Sequence, residues 1–146
     1  MVTNLEYCEL PGSTGNRSRK QAQLISEEEP RLEESFWTNL DILLQSTELI
    51  IDRPRGSSHP RYSSLVYPLD YGYLKEISGG DGNELDVWRG TRTEAKLDAI
   101  VCTVDLLKKD VEVKLLVGCT EQEKIIICDF HNNSKYMAAI LLKRKG

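Results

Sequence analysis

Asp81-Gly82-Asn83-Glu84-Leu85-Asp86-Val87 crowds three acidic side chains and one amide onto a glycine-bearing turn that runs straight into an apolar stretch. Hard oxygen ligands at that density are what a magnesium or calcium ion needs. Just upstream stands Tyr67-Pro68-Leu69-Asp70-Tyr71-Gly72-Tyr73, preceded by Arg53, Arg55, His59, Arg61 and Tyr62. A carboxylate cluster beside a basic and phenolic cluster points to chemistry on a metal-complexed phosphate, whose negative charge both a metal and arginine can neutralise. The plainer alternative for the acidic turn is a solvated hairpin loop, since Asp, Asn and Gly favour turns for backbone reasons. An EF-hand is excluded, because Leu85 stands where that loop needs an oxygen and Asp86 where it needs glycine. No phosphate-binding G-x-x-x-x-G-K-[ST] string occurs.

These groups must be held by elements that the pattern also suggests. Phe36, Trp37, Leu40, Leu43 and Leu44 recur at helical spacing, with Ser35 placed as N-cap. Residues 48–52 form a short strand that Pro54 ends, and 55–64 form a loop. Residues 65–74 are expected to be extended, with Pro68 keeping them off a central ladder, and 77–83 to turn. Residues 85–88 make a strand ending at Gly90. The run 97–107 is apolar and β-branched, as a buried strand is. After the tight connection Lys108-Lys109-Asp110, Val111, Val113, Leu115 and Val117 alternate with Glu112, Lys114 and Leu116, which predicts the second strand of a hairpin. Thr120-Glu121-Gln122-Glu123 is a capping box opening a helix that carries Ile125, Ile126, Ile127 and Phe130 to about His131. Residues 137–142 close the chain as a strand. Five or six short strands, one or two helices and no βαβ alternation predict a mainly β, α+β fold: a small antiparallel barrel.

At 146 residues the chain is expected to hold one domain, residues 35–146, behind a flexible tail at 1–34 where large apolar residues are scarce. A net charge of -4 argues against non-specific nucleic-acid binding. No apolar run approaches the roughly 18 residues of a membrane span, and residues 1–20 lack the apolar core of a secretory signal. Cys8, Cys102, Cys119 and Cys128 have no C-x-x-C spacing; Cys102 and Cys119 are expected to be buried free thiols, which favours a reducing, cytoplasmic setting.

Taken together, the two motifs resemble the soluble family I inorganic pyrophosphatases. Residues 81–87 are similar to that family's Asp-x-Asp-[Pro/Glu]-apolar-Asp-apolar signature at every position but one, and 67–73 to its Tyr-Pro-x-x-Tyr-Gly-Tyr string. Ile51-Asp52-Arg53 resembles its Val-Asp-Arg, and Glu112-Val113-Lys114-Leu115 its acidic-x-Lys-apolar strand. The resemblance runs from about Glu48 to Gly118. It implies a five-stranded OB-type barrel that hydrolyses pyrophosphate with Mg²⁺. By it, Asp81 and Asp86 would be metal ligands and catalytic residues. Glu112 would be one of a second pair of carboxylates, with Asp110 or Asp105 as the other. Lys114 and Tyr71 would hold phosphate oxygens, and Arg53 or Arg61 would be the phosphate-binding arginine. His59, in the basic loop, is a further phosphate-binding candidate or a surface loop histidine. Family members often associate, so a homo-oligomer is among the implied partners, beside a small phosphate substrate and without nucleic acid or membrane.

The departures are equally specific. Asn83 stands where the family has its middle aspartate; an amide can ligate a metal but cannot take up a proton. The base role could then pass to Glu84, or the chain could be a non-catalytic barrel that binds phosphate or a nucleotide without turnover. A nucleic-acid-binding barrel ranks below both, with aromatics at only 7% and no stacking platform. Lys135 and Tyr136 echo the family's C-terminal Lys and Tyr in reversed order. His131 is expected to cap the last helix as a cation or to lie at the surface. Trp37 and Trp88 are expected in the core, while Tyr62 and Tyr67 fit either core or site.

Overall fold

The computed structural model describes residues 32–145. The expected tail therefore lies outside the described residues, apart from 32–34. Those three are already helical, so helix α1, residues 32–45, runs through Ser35 rather than starting at it. The chain divides into two units between Leu40 and Asp41. In the first, the rings of Phe36 and Trp37 meet edge to face at 5.5 Å, and Trp37 is buried.

The second unit holds strands β1 (Leu49–Arg53), β2 (Asp70–Ser78), β3 (Glu84–Arg89), β4 (Leu97–Asp105), β5 (Asp110–Val117) and β6 (Met137–Lys143), with helix α2 (Glu121–His131) between the last two. They form one six-stranded sheet in the order β1-β2-β3-β5-β4-β6. All neighbours are antiparallel except β3 and β5, which run parallel. The mainly β, α+β class is as predicted. The strands number six, the upper count read from the pattern and one more than the resemblance implies, and the sheet is open, with β1 and β6 as its edges.

β2 starts and ends later than the pattern predicts. Proline offers no N–H to a ladder, so pairing waits until Asp70. At the far end the register with β3 shifts between Leu74 and Ser78, around Glu76 in the left-handed region (φ 64°). This bulge carries the strand on to Ser78 and compresses the turn to 79–83. Gly72 has a separate cause. A methyl group at that position would lie 1.8 Å from the carbonyl oxygen of Ile50, so only glycine lets β1 and β2 pair there.

The sheet buries apolar side chains on both faces of its centre. One face carries Tyr71, Trp88, Ala99, Val101 and Leu116 in a cluster with Tyr67, Leu69, Cys119 and Ile127 of α2. The other buries Leu74, Val87, Leu97, Ile100, Leu115 and Val117. Burial on two sides is why β4 reads as a nearly unbroken apolar run. α2 begins as predicted: Thr120 Oγ1 accepts from the Glu123 N–H, and Glu123 Oε1 accepts from the Thr120 N–H. Of its isoleucines only Ile127 is buried; Ile125 and Ile126 face outward. Cys102, Cys119 and Cys128 are free thiols. Cys119 is buried, and burial pushes its thiol up to about 12; Cys102 lies on the opposite face, only partly covered.

Candidate active site

The alternation of β5 decides the site. Asp110, Glu112 and Lys114 share one face of the strand, two residues apart, while Val111 and Val113 face the other way. Lys114 is 5% exposed and pairs across from Val101. Its ammonium lies among three oxygens: it donates to Glu112 Oε1 at 2.7 Å, to Asp86 Oδ2 at 2.8 Å and to the Tyr71 hydroxyl at 2.9 Å. Asp86 comes from β3 and Tyr71 from β2, so three strands converge on one nitrogen. Burial works against the charge of Lys114, but the surrounding oxygens of Tyr71, Asp86 and Glu112 outweigh it and hold the ammonium above the usual lysine range. Burial pushes the Tyr71 hydroxyl up in turn, with Lys114 opposing, so it stays a neutral phenol. Glu112 feels burial in the raising direction, yet Lys114 and then Lys108 hold it below the ordinary glutamate range.

Beside this centre, carboxylate oxygens of Asp81, Asp110 and Glu112 lie within 4.8 Å of one another. Three hard, anionic oxygen donors at that separation fit a small divalent cation such as Mg²⁺. Asp81 reaches them from the turn. Its Oδ1 accepts the Asn83 N–H at 2.9 Å and its Oδ2 the Asn83 amide at 3.4 Å, and the backbone bond first of all lowers its pKa. Asn83 thus orients Asp81 instead of adding a carboxylate. Gly82, at φ 89°, supplies the backbone the turn requires. Asp110, rather than Asp105, completes the group. Asp105 is spent on the hairpin turn, where Oδ1 accepts the N–H groups of Leu107 and Lys108 at 2.9 and 3.0 Å.

Arg53 flanks the centre at the end of β1. Its Nη1 donates to the Tyr67 hydroxyl at 2.5 Å, and the guanidinium lies 5.6 Å from the ring centre of Tyr67 and 5.9 Å from that of Tyr71. Tyr67 therefore serves both the core and the candidate site: only 4% exposed, it packs on Trp88 and holds the arginine. His59 stacks on Tyr67 at 6.2 Å and its Nδ1 accepts the N–H groups of Arg61 and Tyr62. Burial, then the charges of Arg53 and Arg61, lower its pKa, which leaves a neutral ring that organises the loop. Arg61 is exposed in that loop and donates its backbone N–H to His59 Nδ1.

Two expected placements are not found. Glu84 is not one of the grouped carboxylates: its Oε2 accepts the Glu76 N–H at 2.6 Å and closes the β2 bulge. His131 is neither a capping cation nor exposed. It is 6% exposed, accepts the Trp88 indole N–H on Nε2 at 3.1 Å, and burial followed by the charge of Lys114 lowers its pKa to about 3. Lys135 and Tyr136 lie exposed beside each other, the ammonium 5.2 Å from the ring centre.

Lys108 is the site residue that the pattern does not single out. Its ammonium lies 3.3 Å from Glu112 Oε2 and 3.5 Å from Asp110 Oδ2. The signal available in sequence was its position two and four residues before them across a tight turn. A separate recess of about 540 Å³, lined by Asp41, Leu44, Arg89, Lys96 and Arg144 among others, holds none of these groups. Its Arg89 is committed to the Gly90 and Arg92 carbonyls.

No protein-family model and no curated protein matches the chain. Among solved structures it is similar to an inorganic pyrophosphatase from Neisseria gonorrhoeae, at 16% identity and a TM-score of 0.48 over 65% of this chain and 80% of that one. It is also similar to the inorganic pyrophosphatase of Helicobacter pylori, at 12% identity and a TM-score of 0.47 over 65% and 81%. A third is the inorganic pyrophosphatase from Coxiella burnetii, at 14% and 0.45 over 65% and 82%.

Proposed function

We propose that the chain is a Mg²⁺-dependent hydrolase of inorganic pyrophosphate or a closely related phosphoanhydride. The observation that carries this reading is the Lys114 ammonium, buried between Asp86, Glu112 and Tyr71 and adjoining the three-carboxylate group. A cation at the junction of an acidic group and a phenol suits an anion that arrives partly neutralised by metal. Asp81, Asp110 and Glu112 would hold Mg²⁺, with Asp86 and the Asn83 carbonyl as further oxygen donors. When bound, the ion supplies charge neutralisation and lowers the pKa of water.

The chain's own groups divide the rest. Lys114, on exchanging one of its three partners, and the neutral Tyr71 hydroxyl would be donors for phosphate oxygens, and Arg53 offers a planar fork for the leaving phosphate. Tyr67 holds that fork at the rim. Attack of water on phosphorus breaks the bridging P–O bond, and the proton lost by the water passes to a carboxylate. Asp86 is the group suited to receive it, because Asn83 cannot and Glu84 is bound to the Glu76 N–H.

A second reading rests on Asn83, whose amide donates to Asp81 where a carboxylate would add charge and basicity. On that reading the chain binds a phosphate or nucleotide ligand without turning it over. Phosphate release from pyrophosphate across a Mg²⁺ titration decides between them, run on wild type, Asn83→Asp and Asp86→Ala. Metal-dependent release from wild type that Asp86→Ala abolishes is the result expected of the enzyme. Release from Asn83→Asp alone means that the natural chain is a binder or acts on another substrate, and binding of Mg²⁺ with imidodiphosphate by wild type then favours the binder. No release from either, and no binding of Mg²⁺ with imidodiphosphate, sinks both.

A further inference from the structure

Lys108 stands in the hairpin turn between β4 and β5, with its backbone N–H tied to Asp105 at 3.0 Å and its side chain 62% exposed. Its ammonium nevertheless reaches back onto two of the three carboxylates that would hold the metal, Glu112 at 3.3 Å and Asp110 at 3.5 Å. Burial opposes its charge, and Glu112 and then Asp110 outweigh that burial. An ammonium and a divalent cation cannot share those oxygens: they compete for the same lone pairs and repel each other at contact distance. Because the lysine stem is flexible and mostly in water, its head can leave at small cost. The neighbouring turn adds to the effect, since the neutral Asn83 stands beside Asp81 where a carboxylate would have favoured the metal.

We propose that Lys108 sets the metal affinity of this site: its ammonium is an internal counter-ion of Asp110 and Glu112 that a divalent cation must displace. The inference rests on the proposed function for the ion itself and adds a residue that regulates its uptake. It makes ion uptake and lysine engagement mutually exclusive. The site is thereby pitched to fill only when the free divalent concentration is high, and an empty site keeps its carboxylates neutralised.

The test is calorimetric titration of the full chain with Mg²⁺ and with Mn²⁺, comparing wild type, Lys108→Met, Lys108→Arg and Lys109→Met. Methionine keeps the stem and removes the charge. Lys109→Met makes the same change in net charge one residue away. Two partly exposed ion pairs are lost by the competitor, so Lys108→Met should bind the ion about tenfold more tightly. Lys108→Arg and Lys109→Met should stay within about twofold of wild type. Equal affinity in Lys108→Met and wild type overturns the role of Lys108 and leaves the proposed function standing. Equal tightening by Lys109→Met also overturns it, since net charge alone then accounts for the effect. No uptake of either ion by any variant removes the proposed metal site and the inference together.

Discussion

Lys114 shows how a single side chain can be structural and functional at once. Removing its charge takes the shared ammonium from Asp86 and Glu112 in a partly dry site and leaves Glu112 to the more exposed Lys108. Breaking a buried pair costs several kcal/mol, and the access of water to Asp86 reduces this, so Lys114→Met should lose about 2 kcal/mol in urea unfolding at neutral pH. That deficit should narrow in acid. In wild type Glu112 is held below the ordinary glutamate range, so its stabilising share is complete above that range and is lost as the pH falls through the lowered value. The variant keeps only the smaller part of that share that Lys108 supplies. His131 gives a second acid-side signature, independent of any metal. Its neutral ring accepts from Trp88, and its pKa is near 3 in the folded chain against about 6.5 unfolded. The unfolded chain therefore takes up the extra proton first, and stability should fall from pH 6.5 downward, by about 2 kcal/mol at pH 5. His131→Gln keeps an acceptor for the indole and removes the titration, so its unfolding free energy should be flatter between pH 7 and 5 than that of wild type. An equal slope in the two proteins would show that His131 is not the group responsible.

At the scale of elements, close approach and register matter more than propensity. Gly72 sits in β2 opposite Ile51 of β1 and Val87 of β3, where a side chain would strike the Ile50 carbonyl. Gly72→Ala must push β1 off the sheet, and Arg53 is the last residue of β1. The expected outcome is a loss of 3 kcal/mol or more on the order of severe core lesions, together with weakened phosphate binding, read by urea melts and by phosphate titration. Thr120→Ala is the mild counterpart: it removes one cap of α2 and should cost about 1 kcal/mol without touching the site. The same distinction explains what could be read from the chain alone. The period of two in β5 is local, and it put Glu112 and Lys114 on one face before any contact was known. The capping box is local too, and α2 starts where it says. The β2 bulge is not local. It depends on how Glu84 meets Glu76 across a hairpin, so both the late end of β2 and the diversion of Glu84 were out of reach of pattern. His131 was misplaced for a related reason, since a histidine at the end of a helix looks exposed until Trp88 is packed against it.

At the scale of the whole unit, the site is a joint between strands that are distant in sequence. Arg53 comes from β1, Tyr71 from β2, Asp86 from β3, and Glu112 and Lys114 from β5, whose contact with β3 is the one parallel pairing in the sheet. The two motifs and their order were legible because each is contiguous. The convergence of three strands on Lys114, with Arg53 of a fourth beside them, was not, because it follows from sheet order, and for the same reason neither was the open sheet. This construction has a measurable consequence. A ligand that bridges four strands binds the folded chain and has no counterpart in the unfolded one, so its whole binding free energy appears as stability. Mg²⁺ together with imidodiphosphate, a pyrophosphate analogue that resists hydrolysis, should raise the melting temperature by roughly 10 °C when present at about a hundred times its dissociation constant. Mg²⁺ alone should give a smaller rise, and EDTA should return the transition to that of the unliganded chain. Glu112→Gln should abolish the response, since it takes a charge from the metal group and a partner from Lys114 together. Arg53→Lys should keep the response to Mg²⁺ alone and lose most of the added effect of the analogue, because an ammonium cannot reproduce the planar fork. If Glu112→Gln melts with the same ligand-induced rise as wild type, the ligand sits elsewhere on the sheet and the joint at Lys114 is structural only.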